Sequence, residues 1–370
     1  MLIFAYLLSI IILATCGVRQ CRRLWIPIAL LWMVLCAFRQ AGVGSDLGLY
    51  IQVFDYLDID STLSVARDAA YGWEPGYVFL MLFVKRLGIN SATYFLAIIA
   101  VFNFAVLLVF LINNSKNAPI AFLYYLSSYL IWQQFVLVRQ SIAISMLLIG
   151  VLYLLSEKQW RALIFFLIGC TFHFSAIVVP IFILVYRVTR RISTNHLGVI
   201  SFGISILVVV LAGQVPIGDV FSYLNQLRDY SSYIDGGAKN FLSFAEAGAL
   251  LLLLLMISRE DVPEERNGFL IPEMRSGVSF GFSVDLQARL LALIFPVYAV
   301  AANFEVINRL LEYDRLVYAI GVSTIFEASR GRRAGLIVWL IVIIYSAARF
   351  MRFYLTFDQG ALQDFVIGWG

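Results

Sequence analysis

Nine ionisable residues stand within, or at the ends of, otherwise apolar stretches: Arg39, Asp46, Glu74, Arg139, His173, Arg289, Arg309, Glu312 and Arg315. A charge in such surroundings costs several kcal/mol unless it is paired or wet, so each one points to function by default. For Arg315, and for Lys85, a long stem snorkelling to the headgroups is a competing account. Arg139 is harder to explain that way. In "VLVRQSIAISM" it follows a valine and opens a helix rich in small residues, so its guanidinium needs an anionic partner or a water-filled cavity. Arginine keeps its charge and offers a planar fork that fits phosphate oxygens, which lysine does not. Several embedded arginines therefore suggest a phosphate-bearing lipid.

The stretch "RQAGVGSDLGLY", from Arg39 to Tyr50, interrupts the apolar text. Gly42 and Gly44 let the backbone turn and approach a ligand, while Ser45 or Asp46 is placed to cap the helix that follows. Glu74 precedes Pro75 and Gly76 at another helix start, where a carboxylate also complements the helix dipole; a chemical role and a structural one compete there. His173, in "TFHFSA", is the one histidine deep in an apolar run. It can exchange protons near neutral pH or donate to a phosphate, and a satisfied packing histidine is the alternative. His196 sits in a polar loop and reads as surface.

The elements that must position these residues are membrane helices. The 370 residues are 62% hydrophobic and 14% charged, with a mean hydropathy of +0.88, too apolar for a water-facing surface. Apolar segments fall near 1–16, 24–38, 76–88, 91–112, 119–138, 140–155, 161–187, 195–212, 241–258, 285–303, 315–328 and 334–348. No period-2 alternation suggests a barrel. The expected fold is an all-α polytopic membrane protein, a single transmembrane domain over 1–370 with about 10–12 membrane helices, some short or re-entrant. The first apolar run is expected to be a retained helix, because no basic segment precedes it and no cleavage signal follows.

Loops carrying "VRQCRR", "RVTRR" and "SRGRR" mark the cytoplasmic side. By that rule 39–75 and 213–240 are external loops, and 259–284 is cytoplasmic. The run "RALIFFLIGCTFHFSAIVVPIFILVYR" has basic residues at both ends, which favours two short helices meeting near His173 over one kinked span. Cys16, Cys21, Cys36 and Cys170 lack paired spacing, so neither a disulfide framework nor a zinc site is expected. No His, Cys and carboxylate cluster has metal-ligand spacing, no Walker loop supplies ATP, and no basic stripe suits nucleic acid.

Taken in order, "FRQAGVGSDLGLY", "EPGY", "VRQSIAISM" and "FHFSAIVVP" resemble the EpsG family of Wzy-type oligosaccharide repeat-unit polymerases. "NRLLEYDRLVYAI" is similar to that family's arginine-and-tyrosine segment, more loosely. The family usually has Thr before the aspartate and often Pro after the histidine; Ser45 and Phe174 stand there instead.

The resemblance implies a fold like that of C-type glycosyltransferases and an enzyme of the bacterial inner membrane, its active site facing the periplasm. Such an enzyme transfers a growing glycan from undecaprenyl diphosphate to the non-reducing end of a new lipid-linked repeat unit, in O-antigen, capsule or exopolysaccharide synthesis. On that reading Arg39, Arg139 with its neighbour Gln140, and Arg309 hold the diphosphate. Glu74 or Asp46 deprotonates the acceptor hydroxyl, with His173 as rival base or phosphate ligand. Trp73, Tyr71 and Tyr223 stack on sugars, although interfacial aromatics also anchor proteins in membranes. No cofactor is implied; a chain-length regulator and a flippase are the protein partners implied. Competing readings are a flippase for the same lipid, a ligase or acyltransferase, and a non-enzymatic scaffold. A flippase of this kind often carries an internal repeat, and none is visible.

Overall fold

The computed structural model describes residues 1–19, 24–39, 46–212, 241–260, 282–302, 305–331, 333–357, 362, 363 and 365. Hydrocarbon offers no partner to an open backbone, so a chain this apolar satisfies its peptide groups within helices. No β-strand occurs among the described residues. The chain is an all-α polytopic membrane protein. Six helices are long and apolar enough to cross a bilayer: Ala92–Asn114, Val138–Leu155, Thr194–Leu211, Phe241–Ser258, Val284–Ala301 and Gly335–Thr356. Four shorter apolar stretches accompany them: Leu2–Val18, Ile26–Ala37, Gln159–Phe172 and Phe174–Thr189. The expected loops 213–240 and, but for its ends, 259–284 lie outside the described residues, as do Tyr223, Cys21, Gly42, Gly44 and Ser45.

The chain divides into two compact units. The first contains Met1–Ile177 and the described residues from Ser329 onward; the second contains the described parts of Val178–Asn267 and Phe282–Ala328.

In the first unit the opening helices are α1 (Leu2–Arg19) and α2 (Ile26–Ala37), followed by α3 (Leu47–Tyr56), α4 (Leu63–Ala69) and α5 (Pro75–Arg86). The stretch expected as an external loop thus carries two helices of its own, α3 and α4. Helix α5 is twelve residues, about 18 Å, too short to span. Next come α6 (Ala92–Asn114) and α7 (Ala118–Tyr125). A π-turn over Leu126–Leu130 leads to the short α8 (Ile131–Phe135), and α9 (Val138–Leu155) starts after a break at Val136 and Leu137. Helix α10 (Gln159–Phe172) ends at His173, which is extended at φ −156° and ψ 123°. The break in the long apolar run therefore falls at the histidine, ahead of Pro180, which sits in the first turn of α11 (Val178–Thr189), where a missing N–H does no harm.

Helices α9 and α10 approach closely because Gly150 lies against Phe166 and Gly169 lies 3.3 Å, at its would-be Cβ, from the Ala143 carbonyl. A buried polar cluster ties α9 to α6. Asn103 Nδ2 donates to Ser141 Oγ at 2.9 Å and to Gln134 Oε1 at 3.3 Å, and Ser145 Oγ donates to Asn103 Oδ1 at 2.7 Å. Elsewhere in this unit Tyr6 joins Ser127 and the Ser346 carbonyl and stacks on Phe350.

In the second unit α12 (Thr194–Ala212) packs on the helix Val284–Ala301. Ser201 donates to the Ala292 carbonyl there, and Thr194 to Asp285. Arg289 pairs with Asp285 at 2.7 Å and donates to the Ile192 carbonyl at 2.8 Å, so its charge is absorbed locally.

Candidate functional site

The site builds up from Arg139. Because the chain breaks at Leu137, Arg139 is the second residue of α9. A cation there meets the positive end of the helix dipole, an arrangement that only an anion resolves. The anion present is Glu74, whose Oε2 lies 2.5 Å from Arg139 Nη1. Rings frame the guanidinium: its carbon lies 4.8 Å from the centre of Trp73 and 5.9 Å from that of Tyr50, and Nε donates to Tyr50 Oη at 3.5 Å. Cation–π contact of this kind holds the fork in one orientation.

Glu74 occupies the N-cap position of α5, with Pro75 at the first helical position, yet its side chain makes no capping hydrogen bond. It reaches Arg139 instead. The purely structural account of Glu74 thus loses its usual hydrogen bond, and the carboxylate is committed to a residue on another helix. Gly76 makes this reach available. A Cβ there would collide with the Thr171 side chain and come within 2.8 Å of the Thr171 carbonyl, so the start of α5 lies directly against the end of α10. That packing brings Glu74 near His173, whose charge acts on the carboxylate. Burial works to raise the Glu74 carboxyl, but Arg139 and then His173 outweigh it and hold it below the usual carboxylate range. His173 Nδ1 shares a 2.6 Å hydrogen bond with Ser175 Oγ, which fixes the ring.

Trp73 is delivered by a sharp backbone turn. Tyr71 at φ 53° and Gly72 at φ 68° are both left-handed, which only glycine adopts without strain. Arg67 Nε holds the result by donating to the Trp73 carbonyl at 3.1 Å. Trp73 is buried and packs with Tyr50 and Tyr77, ring centres 5.2 and 5.7 Å away. Tyr71, by contrast, is exposed, at 67%.

Arg39 converges on the same aromatic group. Its charge acts on Tyr50 and Tyr77, its guanidinium sits 5.3 Å from the Phe135 ring centre, and Nη1 donates to the Cys36 carbonyl at 2.6 Å. Arg39, Glu74, Arg139, Trp73 and His173 thus all belong to the first unit, where Arg139 and Trp73 contact Tyr50 and Glu74 pairs with Arg139. Gln140, in the first turn of α9, is buried beside them in sequence. Asp46 is half-buried at the N-cap of α3 and its charge reaches Tyr50; it does not cap, because its backbone is helical, at φ −92° and ψ −11°, rather than extended. Arg309 is in the second unit, on the helix Glu305–Leu311.

Three participants escaped the reading of charges alone: Tyr50, Tyr77 and the cluster around Asn103. Tyr50 closes the quoted "RQAGVGSDLGLY" one helical turn after Asp46, and Asn103 is a lone amide in a long apolar span, so both left a trace. Among the described residues no group of three or more His, Cys, Asp or Glu is arranged to hold a metal ion.

A family model described as the EpsG family matches residues 22–366, nearly the whole chain. No curated protein and no solved structure matches significantly.

Proposed function

The chain belongs to the EpsG family, a family of Wzy-like polymerases, and from that premise we propose that it polymerises lipid-linked oligosaccharide repeat units at the Arg139–Glu74 centre. The observation that carries the reading is a half-buried arginine at a helix N-terminus, held by a carboxylate from another helix with a histidine close by. Guanidinium and helix dipole together favour a group more negative than one carboxylate. Undecaprenyl diphosphate, which carries the growing glycan, is such a group.

In the resting site Glu74 is ionised and occupied, hence a weak base. A phosphate arriving at Arg139 competes for the guanidinium and releases Glu74 towards His173 and the acceptor. The acceptor hydroxyl oxygen then bonds to the anomeric carbon as the bond from that carbon to the phosphate oxygen breaks. Its proton passes to Glu74 or His173, and the electron pair leaves with the diphosphate. Arg139 and Arg39 stabilise the charge that grows there, an interaction stronger in the transition state than before it. Trp73 holds the guanidinium plane and offers a ring edge to a sugar. Asp46 is the second carboxylate candidate, and Gln140 is a further diphosphate contact. The membrane is the bacterial inner membrane, and the centre faces the periplasm, on the side opposite the basic loops. A flippase and a chain-length regulator are the expected partners.

Replacement of the chromosomal gene by Arg139→Ala tests this. The expected surface lipid carries one repeat unit and no ladder, with membrane abundance of the variant unchanged. A normal ladder overturns the polymerase reading of this centre. Loss of the single-unit lipid as well points to the flippase alternative.

A further inference from the structure

The break at Val136 and Leu137 places Arg139 at the start of a helix, and one side chain from a third helix grips both sides of that break. Asn103, 3% exposed on α6, donates through Nδ2 to Gln134 Oε1 on α8 at 3.3 Å and to Ser141 Oγ on α9 at 2.9 Å. Its Oδ1 accepts from Ser145 Oγ at 2.7 Å. The orientation of the amide is forced. The Ser141 hydroxyl proton is committed to the Val138 carbonyl at 2.8 Å, which leaves the oxygen to accept, so only the amide nitrogen of Asn103 can face it. Gln134, Ser141 and Ser145 are buried as well. With no water at hand, each of these groups depends on its partner.

Ser141 and Ser145 are one turn apart and share a face of α9. Two bonds from a single amide to that face fix how far α9 is rotated about its axis, and the bond to Gln134 fixes where the helix before it ends. Arg139 lies two residues before Ser141, about 200° round the helix, where it meets Glu74, Trp73 and Tyr50. A rotation of α9 therefore swings the guanidinium off its carboxylate and off the Trp73 ring. We infer that Asn103 is a positioning residue of this centre, which sets Arg139 against Glu74 by holding the break between α8 and α9. The inference rests on the reading that Arg139 acts in chain extension. Asn103 acts through Arg139 and not on the substrate, and a misplacement of about 1 Å at such a group can cost about a hundredfold in rate.

The test uses the full-length protein, in detergent for amide hydrogen exchange and in vesicles with lipid-linked repeat unit for chain extension. Asn103→Leu keeps the branched shape and removes all three bonds. Exchange over residues 137–142 is expected to quicken at least about tenfold, with Thr194–Ala212 in the second unit unchanged. Extension per folded, monodisperse protein should fall about thirtyfold. Ser201→Ala deletes a buried hydroxyl that donates to the Ala292 carbonyl in the second unit, and it controls for stability: its melting midpoint drops while extension stays within about threefold of wild type. Adding Ser141→Ala to Asn103→Leu should cost nothing further, because the two side chains act as one unit. Should Asn103→Leu fail to fold, Ser141→Ala alone carries both measurements, with extension down about fivefold. Unchanged exchange over 137–142 overturns the inference, and so does an equal loss of extension in Ser201→Ala. Arg139→Ala separates the two levels. If it abolishes extension while Asn103→Leu extends normally, only the positioning role falls; if it extends normally, the reading of the centre falls and the positioning role with it.

Discussion

Arg139, half-buried, and Arg315, buried, are both paired with a glutamate, but they are paired in different ways. Glu74 lies 65 residues before Arg139, on a different helix. Glu312 lies one turn before Arg315, at 3.3 Å, with the guanidinium over Tyr298 at 5.8 Å from the ring centre. The second pair is made by neighbouring residues where one short helix gives way to the next. The first exists only once α5, α9 and α10 have packed, and Glu74 forgoes a capping bond to make it. A local pair settles its own charges wherever the helix goes. A long-range pair at a helix N-terminus is poised for exchange, because an incoming anion can take the carboxylate's place.

The largest effect should come from breaking that symmetry of type. Glu74→Gln keeps a hydrogen-bond acceptor near Arg139 but removes the negative charge and the base, and chain extension is expected to fall at least about a hundredfold, within the range of losing a general base. Glu312→Gln removes a local partner and should leave extension within about threefold. Ladder length and the rate of repeat-unit incorporation in membrane vesicles read both. Similar losses in the two variants would erase the distinction drawn between the pairs.

Glycines give a second, smaller contrast. A Cβ on Gly76 would lie 2.8 Å from the Thr171 backbone carbonyl, whereas one on Gly198, in the second unit, would meet the Leu255 side chain, nearest at Cδ1, 2.7 Å away. A leucine terminus can swing aside; a helix carbonyl cannot. Gly76→Ala should therefore separate α5 from α10, costing about 1–3 kcal/mol in the manner of overpacked cores, with extension down about tenfold because Glu74 is displaced from Arg139. Gly198→Ala is expected to change the melting midpoint of the purified protein little and extension not at all. A normal Gly76→Ala variant would show that Glu74 does not depend on the α5–α10 contact.

Much of this was legible in the sequence, and the residues show why the rest was not. The all-α membrane fold follows from composition, and the break at His173 from its basic flanks and Pro180. Arg139 and Glu74 announce themselves as charges beside apolar text. Their pairing does not, because it depends on a close approach between α5 and α10 that Gly76 permits and no local period encodes. The break before Arg139 is legible as the boundary between the apolar segments 119–138 and 140–155. The two helices between Arg39 and Glu74 are not: α3 follows a residue, Asp46, that looks like a cap and does not cap. The Asn103 cluster joins α6 to α9 through Ser141 and Ser145, which in the sequence mark only a helix rich in small residues.

Asp314 offers the finest test, since its carboxyl behaves oppositely to that of Glu74. Burial pushes Asp314 up to about 6, although the Tyr298 hydroxyl, donating at 3.1 Å, and Arg315 both work to lower it. A carboxyl raised above its ordinary value of 3.8 lends stability that is complete below about that pH and is lost as pH rises through about 6. Glu74 is held down, so its contribution is present above the ordinary carboxylate range and lost as pH falls through its lowered value. Asp314→Asn keeps the shape and the acceptor for Tyr298 but cannot ionise. The melting midpoint of wild type minus that of Asp314→Asn should therefore decline by a few degrees between pH 4 and pH 7. The corresponding difference for Glu74→Gln should not decline over that interval, because its change belongs at lower pH. A flat difference for Asp314→Asn would mean that its carboxylate is as well satisfied as that of Glu74, and that the local cluster, like the long-range pair, holds its negative charge without penalty.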